Sequence, residues 1–550
     1  MKKWFLNFIV LILLSNRIIS QAPSWLWAKS GTGPDQKYNF GVCTDPSGNI
    51  YTTGFFRGAT ITLGSVTLTN SVTYWDDVFI AKYDASGNVL WAKSASGTDG
   101  DQAYDVHSDA FGNIYVTGYF NSPTITFGST VLTNVSSPGN GDLFLVKYDA
   151  NGNVLWARSA SGNSTEWGRS ISTDATGNVY VSGFFGGTAA FGSNTITSVG
   201  GYDIFIAKYD INGNPIWVRS TGGISQDYGY GICTDANGNS YLTGSFSGTG
   251  MSIGSVTLTN TASSTSDIFI AKYDLNGNVV WAKSAGGAFS DQGADIALDN
   301  SGNVYITGDY QSNSLVVGTS TLTNVIVNPS SEIFLAKYDM NGNPLWAKGA
   351  NGTDNDLGSS ICVDATGNAY ITGMFGSNSL SFGTSTLILS NIFDVFVAKY
   401  DPSGNVVWTQ KATGNGQDQA YGICSDAAGN LFVAGRFEST NAAFGTNTLS
   451  CGGVYDPFVA KIAGVSGIKE MSNASSMEIY PNPNSGAFNV LCSINNAELS
   501  VLNAVGQKVH SQLLDEGINY INIPKLPSGI YFWSIIRNNH LIQTSKLIIE

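Results

Sequence analysis

Charge is scarce in this chain. Asp, Glu, Lys and Arg make up 12% of its 550 residues, about half the usual ~25%. A disordered chain would carry more charge and few aromatics, whereas aromatics here reach 12%. Basic residues are the scarcer sign: 26 Lys+Arg against 40 Asp+Glu leave a net charge of −14, which argues against nucleic acid as a partner. Long apolar runs are also missing. The stretch Trp4 to Leu14 covers eleven residues, short of the ~17–25 that cross a bilayer, and no later segment reads as a membrane helix. The six cysteines form no CxxC pair, so a zinc site has no ligands at the right spacing. No HExxH motif occurs either. Glycine is plentiful, 65 of 550 residues, against a typical ~7%, and long helices do not tolerate that density. What remains is a Gly-punctuated, aromatic-rich, all-β protein.

The two ends read as processing signals. Residues 1–20 have a basic start (Lys2, Lys3), the short apolar stretch and a small residue, Ser20, before Gln21, the pattern of a secretory signal peptide. A small-residue linker, 463–477, precedes a segment of different character, 478–550. Its short alternating strands, separated by Pro-Asn, Gly-Gln and Pro-Ser-Gly turns, predict a small β-sandwich. Tyr480, Pro481, Asn482 and Pro483 with Gly486, then Gly506-Gln507, then Gly529 and Tyr531, and finally Lys546 resemble the C-terminal sorting domain of the bacterial type IX secretion route. That resemblance implies export across the outer membrane of a Gram-negative bacterium, contact with the type IX machinery, and removal of the domain with release or anchoring of the cargo.

Between the ends the sequence repeats. A Trp recurs at 27, 91, 156, 217, 281, 346 and 408. An Asp-x-x-Gly-Asn turn starts at Asp45, Asp109, Asp174, Asp235, Asp299, Asp364 and Asp426, and a DVFIAKYD-like string carries Phe at 79, 144, 205, 269, 334, 396 and 458. Each unit therefore predicts four strands, a to d, with Asp-x-x-Gly-Asn at the a–b and c–d turns and an extra hairpin between b and c. The array opens with a strand d (Trp25 to Ser30) and ends after a strand c (Phe458 to Lys461). The first strand can complete the last sheet, so residues 21–462 are expected to form a seven-bladed β-propeller closed by the N-terminal strand. The units resemble the propeller repeats of secreted bacterial proteins.

Several residues are candidates for chemistry. An acidic column, Asp101, Glu166, Asp227, Asp291, Asp356 and Asp418, stands eight residues before the turn Asp, with Lys37 and the nearby Asp35 in the first unit. Sevenfold symmetry would gather these into a ring able to hold a cation, calcium being possible, or to steer a cationic ligand; the alternative is a cap on the entry to strand a. Asp105 and His107, at i and i+2, break the symmetry and have the residue types of a general acid–base pair; a hydrogen-bonded histidine in the channel lining is the plainer reading. The Lys82 column is expected to lay its stems on the strands with the heads in water. The cysteine column Cys43, Cys233, Cys362 and Cys424 reads as small buried side chains rather than a disulfide framework.

These features predict a monomeric, secreted or cell-surface, non-catalytic binding, adhesion or scaffold protein. Its propeller face, carrying variable hairpins such as VTYWDD, would meet a glycan or surface protein. The alternative is a secreted carboxylate-dependent carbohydrate-active enzyme using Asp105 or the acidic ring.

Overall fold

The computed structural model describes residues 22–550 except 137–138, 325–329, 465–477, 481, 483, 493–494, 504–505, 524–525, 538–539 and 550. The expected signal peptide, most of the linker, and Pro481 and Pro483 of the sorting motif lie outside the described residues. The chain divides into two compact units, Met1–Gly464 and Val465–Glu550.

In the first unit one antiparallel pattern recurs seven times. Strand a (Lys37–Thr44) pairs with b (Ile50–Phe56), b with c (Asp77–Tyr83), and c with d (Val89–Ala95). The seventh sheet takes its fourth strand from the other end of the array. Trp25–Thr32 lies along Asp456–Ile462, with Ala28 opposite Ala460 and Ser30 opposite Phe458. Strands b and c are buried along their whole length, because each sheet is covered on both faces. Val78 and Ile80 of the first unit pack with Val116, Phe144 and Val146 of the second. On the opposite face, Phe79 and Ala81 pack with Phe432, Ala434 and Val459 of the seventh. The apolar period of two thus supplies both neighbours of every blade.

The turns form for local reasons. In the first, Asp45 Oδ1 accepts the Ser47 and Asn49 amides, each at 2.9 Å, while Oδ2 accepts Asn49 Nδ2 at 2.8 Å and the Tyr51 hydroxyl at 3.0 Å. Gly48 supplies the left-handed position, φ 80°. These carboxylates are occupied by their own turns, which accounts for the Asp-x-x-Gly-Asn spacing without a bound ion. The strand d Trp then locks each blade to the next. Trp91 lies on the c–d turn of the following unit, where a Cβ on Gly152 would come within 3.1 Å of the ring, and its Nε1 donates to Ala150 O at 3.2 Å.

The Lys82 column corrects the sequence expectation. Lys82, Lys147, Lys208, Lys272, Lys337 and Lys461 are buried. The Lys82 ammonium sits 5.1 Å from the centre of the Tyr51 ring and donates to Ala150 O at 3.0 Å. A ring face and a turn carbonyl replace water around the charge.

The hairpin between b and c (Thr60–Leu63 and Val66–Thr69) runs on from strand d of the preceding blade, with Gly31 opposite Leu63. It lies at the outer edge of the sheets, and only its return loop reaches the face, where Tyr74 is 81% exposed.

The second unit has a three-stranded sheet (Glu478–Tyr480, Ala487–Cys492, Gly517–Asn522) and a four-stranded one (Lys508–Leu514, Ala497–Leu502, Gly529–Arg537, His540–Ile549). Phe488, Val490 and Ile521 from the first share a core with Leu499, Val501, Trp533 and Leu547 from the second, the packing of a β-sandwich.

Candidate functional site

The seven a strands line a central cavity of about 920 Å³. Each carries a register shift at the same place, for example between Asn39 and Gly41, Ala103 and Asp105, and Gly168 and Ser170. A glycine in strand b permits it. A Cβ on Gly54 would stand 1.8 Å from Tyr38 O, and the same holds at Gly118, Gly183, Gly244, Gly308, Gly373 and Gly435 within 2.0 Å of the corresponding carbonyl. A bulge re-aims its extra residue. Here the extra residues are Phe40, Tyr104, Arg169, Tyr230, Ala294, Ser359 and Tyr421, and all seven line the cavity.

That lining is lopsided. Ring contacts run without a break from Tyr421 to Phe40 (4.9 Å between centroids), Phe40 to Tyr104 (5.2 Å) and Tyr104 to Trp167 (6.1 Å). Beyond the cavity lining they continue from Trp167 to Phe184 (5.2 Å) and Phe184 to Tyr228 (4.9 Å), and they return to it from Tyr228 to Tyr230 (5.9 Å). Trp167 also stacks flat on Tyr119 at 4.2 Å. The Arg169 guanidinium lies 4.0 Å over Tyr104 and 5.6 Å from Tyr230, and among the described residues it makes no ion pair. The fifth and sixth blades break the arc with Ala294, Ser359, Gln292 and Asp309. Burial pushes the Asp309 carboxyl up to about 6.

One step deeper, the residue after the bulge reads Gly41, Asp105, Ser170, Gly231, Asp295, Ser360, Gly422 around the ring. Asp105 Oδ2 accepts Ser170 Oγ at 3.0 Å and Ile171 N at 2.9 Å, and Ser170 Oγ in turn accepts Ile232 N at 3.2 Å. Asp295, Ser360 and Ile423 repeat this relay at 2.7, 2.9 and 3.3 Å. Two Asp–Ser relays thus tie blades two to four and five to seven. Burial pushes Asp105 up to about 7 and Asp295 up to about 6. Sequence reasoning singled out Asp105 and missed Asp295, although both occupy one column of the repeat.

His107 lines the same cavity, and burial pushes it down to about 4, so the ring is neutral at pH 7. Its Nδ1 meets Thr173 Oγ1 at 3.2 Å. Asp105 and His107 each bond to the third blade, so the structure does not join them as an acid–base pair. Neighbours on one strand face point outward in parallel, and the next blade supplies the partners.

The acidic column is placed differently from the ring the sequence suggests. Asp101, Glu166, Asp227, Asp291, Asp356 and Asp418 are all buried, at 0–1% exposure. Asp291 Oδ1 accepts Gln311 N and Ser312 N at 3.1 Å, and Oδ2 accepts Ser312 Oγ at 2.7 Å. Asp356 and Asp418 bind Ser377 and Ser439 in the same way. Asp101 and Asp227 accept loop donors as well, whereas both oxygens of Glu166 are buried without a hydrogen-bond partner. Asp35 stands apart in a left-handed turn, φ 64°, with Oδ1 on Gln36 N at 2.9 Å. Among the described residues no group of three or more His, Cys, Asp or Glu side chains converges to hold a metal ion.

In the second unit the sorting-motif residues are structural joints. Asn482 Nδ2 donates to Lys546 O at 2.9 Å and its Oδ1 accepts Ile548 N at 2.8 Å, which pins the final strand. Gly486 and Gly506 turn the chain at φ 94° and 82°, and the Tyr531 hydroxyl donates to Pro527 O at 2.9 Å. Gly529 opens the long strand that pairs with the last one. Tyr480 is 40% exposed.

Residues 478–550 match the family described as secretion system C-terminal sorting domain. This chain is type IX secretion cargo. The sorting domain directs it to the surface or exterior of a Gram-negative bacterium, and residues 280–315 match a β-propeller repeat. The chain is also 24% identical over 542 residues to a WD repeat-containing protein of Acanthamoeba polyphaga mimivirus, covering 81% of this chain and 39% of that one. It is 23% identical over 448 residues to regulatory protein FlaEY of Caulobacter vibrioides, covering 77% and 44%. It therefore spans about two fifths of the length of these relatives. Among solved structures, PorZ, a surface component of the type IX secretion system of Porphyromonas gingivalis, aligns over 95% of this chain and all of that one at 9% identity, with a TM-score of 0.14. The PQQ domain of pyranose dehydrogenase from Coprinopsis cinerea aligns over 80% and 99% at 12% identity, with a TM-score of 0.34. Overlaps of that quality carry no argument about activity. Among the described residues no helix is long and apolar enough to cross a membrane.

Proposed function

We propose that the exported first unit is a non-catalytic binding module whose ligand is a glycan, held at the mouth of the central cavity. The lopsided lining carries this reading: aromatic side chains from Tyr421 round to Tyr230, with the Arg169 guanidinium lying over Tyr104, and Asp309 and Ser359 on the blades that lack them. The partly exposed rings of Phe40, Tyr104, Tyr230 and Tyr421 offer apolar faces to sugar rings, and a guanidinium without a carboxylate partner suits an acidic substituent. The catalytic alternative is weaker because the two deeper cavity carboxylates, Asp105 and Asp295, are already occupied. Asp105 accepts three donors, from Val106 N, Ser170 Oγ and Ile171 N, and Asp295 likewise accepts Ile296 N, Ser360 Oγ and Ile361 N.

The test is a screen of the purified chain against neutral and uronic-acid-containing glycans, with parallel assays for chain cleavage. Saturable binding that falls at least tenfold in Trp167→Ala and Arg169→Ala, and not in Leu26→Ala on the outer rim, supports the module. Turnover of any polysaccharide that is lost in Asp105→Asn would replace it with the carboxylate-dependent enzyme.

A further inference from the structure

The six buried acids of the strand a column are not alone. Each meets a second buried acid, the one that opens strand c of the preceding blade. The backbone fixes the meeting: Asp101 N donates to Asp76 O, Glu166 N to Gly141 O, Asp227 N to Tyr202 O and Asp356 N to Ser331 O, at 2.7–2.8 Å. The acceptor residue in each case directly precedes the strand c acid, Asp77, Asp142, Asp203 or Glu332. At the seventh interface the same bond joins Lys37 N to Tyr455 O, at 3.0 Å, beside Asp456. There the strand a residue is a lysine.

That seventh interface shows what the position holds. Lys37 and Asp456 are both 0% exposed, and the ammonium lies 2.9 Å from Asp456 Oδ1. It also donates to the carbonyl oxygens of Asp35 at 2.7 Å and Tyr455 at 3.4 Å. Asp456 Oδ2 is occupied separately by Gly452 N at 2.8 Å. Asp203 reproduces this arrangement atom for atom: its Oδ2 accepts Val199 N, four residues back, at 3.0 Å. Its Oδ1, the oxygen that faces the ammonium in Asp456, has no partner. Asp267 Oδ1 and Glu332 Oε1 are likewise buried without a partner, as are both oxygens of Glu166. At the sixth blade Lys411 reaches Asp394 at 3.1 Å and supplies a charge.

We propose that a calcium ion sits between the blades at four interfaces, Asp142/Glu166, Asp203/Asp227, Asp267/Asp291 and Glu332/Asp356, in the place that the Lys37 ammonium fills at the seam. Two buried carboxylates and a divalent cation balance in charge, as Lys37 and Asp456 do. The donors are all oxygen, with the Ser136 and Thr261 hydroxyls hydrogen-bonded to Asp142 and Asp267, a set that hard cations prefer to softer metals. The oxygens belong to facing blades, so the ion would act as a rivet rather than as a reaction centre.

The experiment uses the full chain, stripped with chelator and titrated with calcium chloride at pH 7.5 in a calorimeter and by thermal melting. The expected result is close to one ion for each of the four interfaces and a melting point several degrees higher in calcium than in chelator. Asp227→Lys should lower the count by one and keep the chain folded, because it copies the seam pair. Lys37→Asp should raise the count by one. Absence of calcium uptake, with melting that responds to pH alone, would mean the acid pairs share protons and would overturn the proposal. A full count unchanged in Asp227→Lys would place the ions elsewhere and overturn it equally.

Discussion

Replacing Lys37 with methionine should weaken the seam between the first and seventh blades by several kcal/mol. The pair is fully buried at 2.9 Å, where an effective dielectric near 20 gives a gross attraction of about 5–6 kcal/mol. Desolvation cancels most of that, so the intact pair is worth little against an apolar one, but removing one partner leaves a bare buried charge at a cost of about 3–5 kcal/mol. The remaining acceptor contact, from Gly452 N, does not replace the ammonium. Lys37→Met should therefore lose about 3–5 kcal/mol, a large share of the roughly 5–15 kcal/mol typical of a folded domain. The double variant Lys37→Met, Asp456→Leu should return to within about 1 kcal/mol of the parent. Urea unfolding followed by tryptophan fluorescence, at fixed calcium, reads the midpoint and slope. A single variant within about 1 kcal/mol of the parent, or a double variant no more stable than the single one, would refute the reasoning.

Trp25→Ala should cost about 3–5 kcal/mol, because the ring is 4% exposed, meets Phe444 edge-on at 5.1 Å and donates to Lys411 O. Leu26→Ala beside it, 50% exposed, should stay within about 0.5 kcal/mol in the same unfolding assay. Gly48→Ala should cost about 1 kcal/mol, since only its positive φ objects. Gly54→Ala should be far worse, because its Cβ would meet Tyr38 O at 1.8 Å, and soluble yield should separate the two. Asp105 is raised to about 7 by burial, above its unfolded value near 3.9. Its contribution is therefore present at low pH and is lost as pH rises through about 7. Melting curves from pH 5 to 8 should show a shallower decline in Asp105→Asn than in the parent.

The repeat was legible because each unit reports its own turns and its own apolar alternation. Asp45 and Gly48 belong to one turn, and the Val78/Ile80 and Phe79/Ala81 faces belong to one strand, so local sequence suffices. The cavity was harder to read. The bulge that aims Arg169 and Tyr230 inward depends on a strand b glycine pressed against a strand a carbonyl, a contact between strands that spacing alone does not announce. The acidic column misled for a related reason. Its regular spacing was visible, but its partners, Asp77, Asp142, Asp203, Asp267 and Glu332, open strand c of the previous blade, where the DVFIAKYD string looked purely structural. Asp295 is inconspicuous on its own, because Asp105 and Asp295 form a pair of breaks three blades apart whose common role shows only in the serine of the next blade.

The borrowed strand has a further consequence. Trp25–Thr32 finds its partner in Asp456–Ile462, so the first strand of the array must wait for the last one before its edge is covered. During that interval an identical edge on a second molecule offers the same hydrogen bonds and the same tryptophan pocket. Crowded refolding therefore favours domain-swapped dimers, in which each molecule's first strand completes the other's last sheet. Dilution before renaturation is the condition under which the monomer wins.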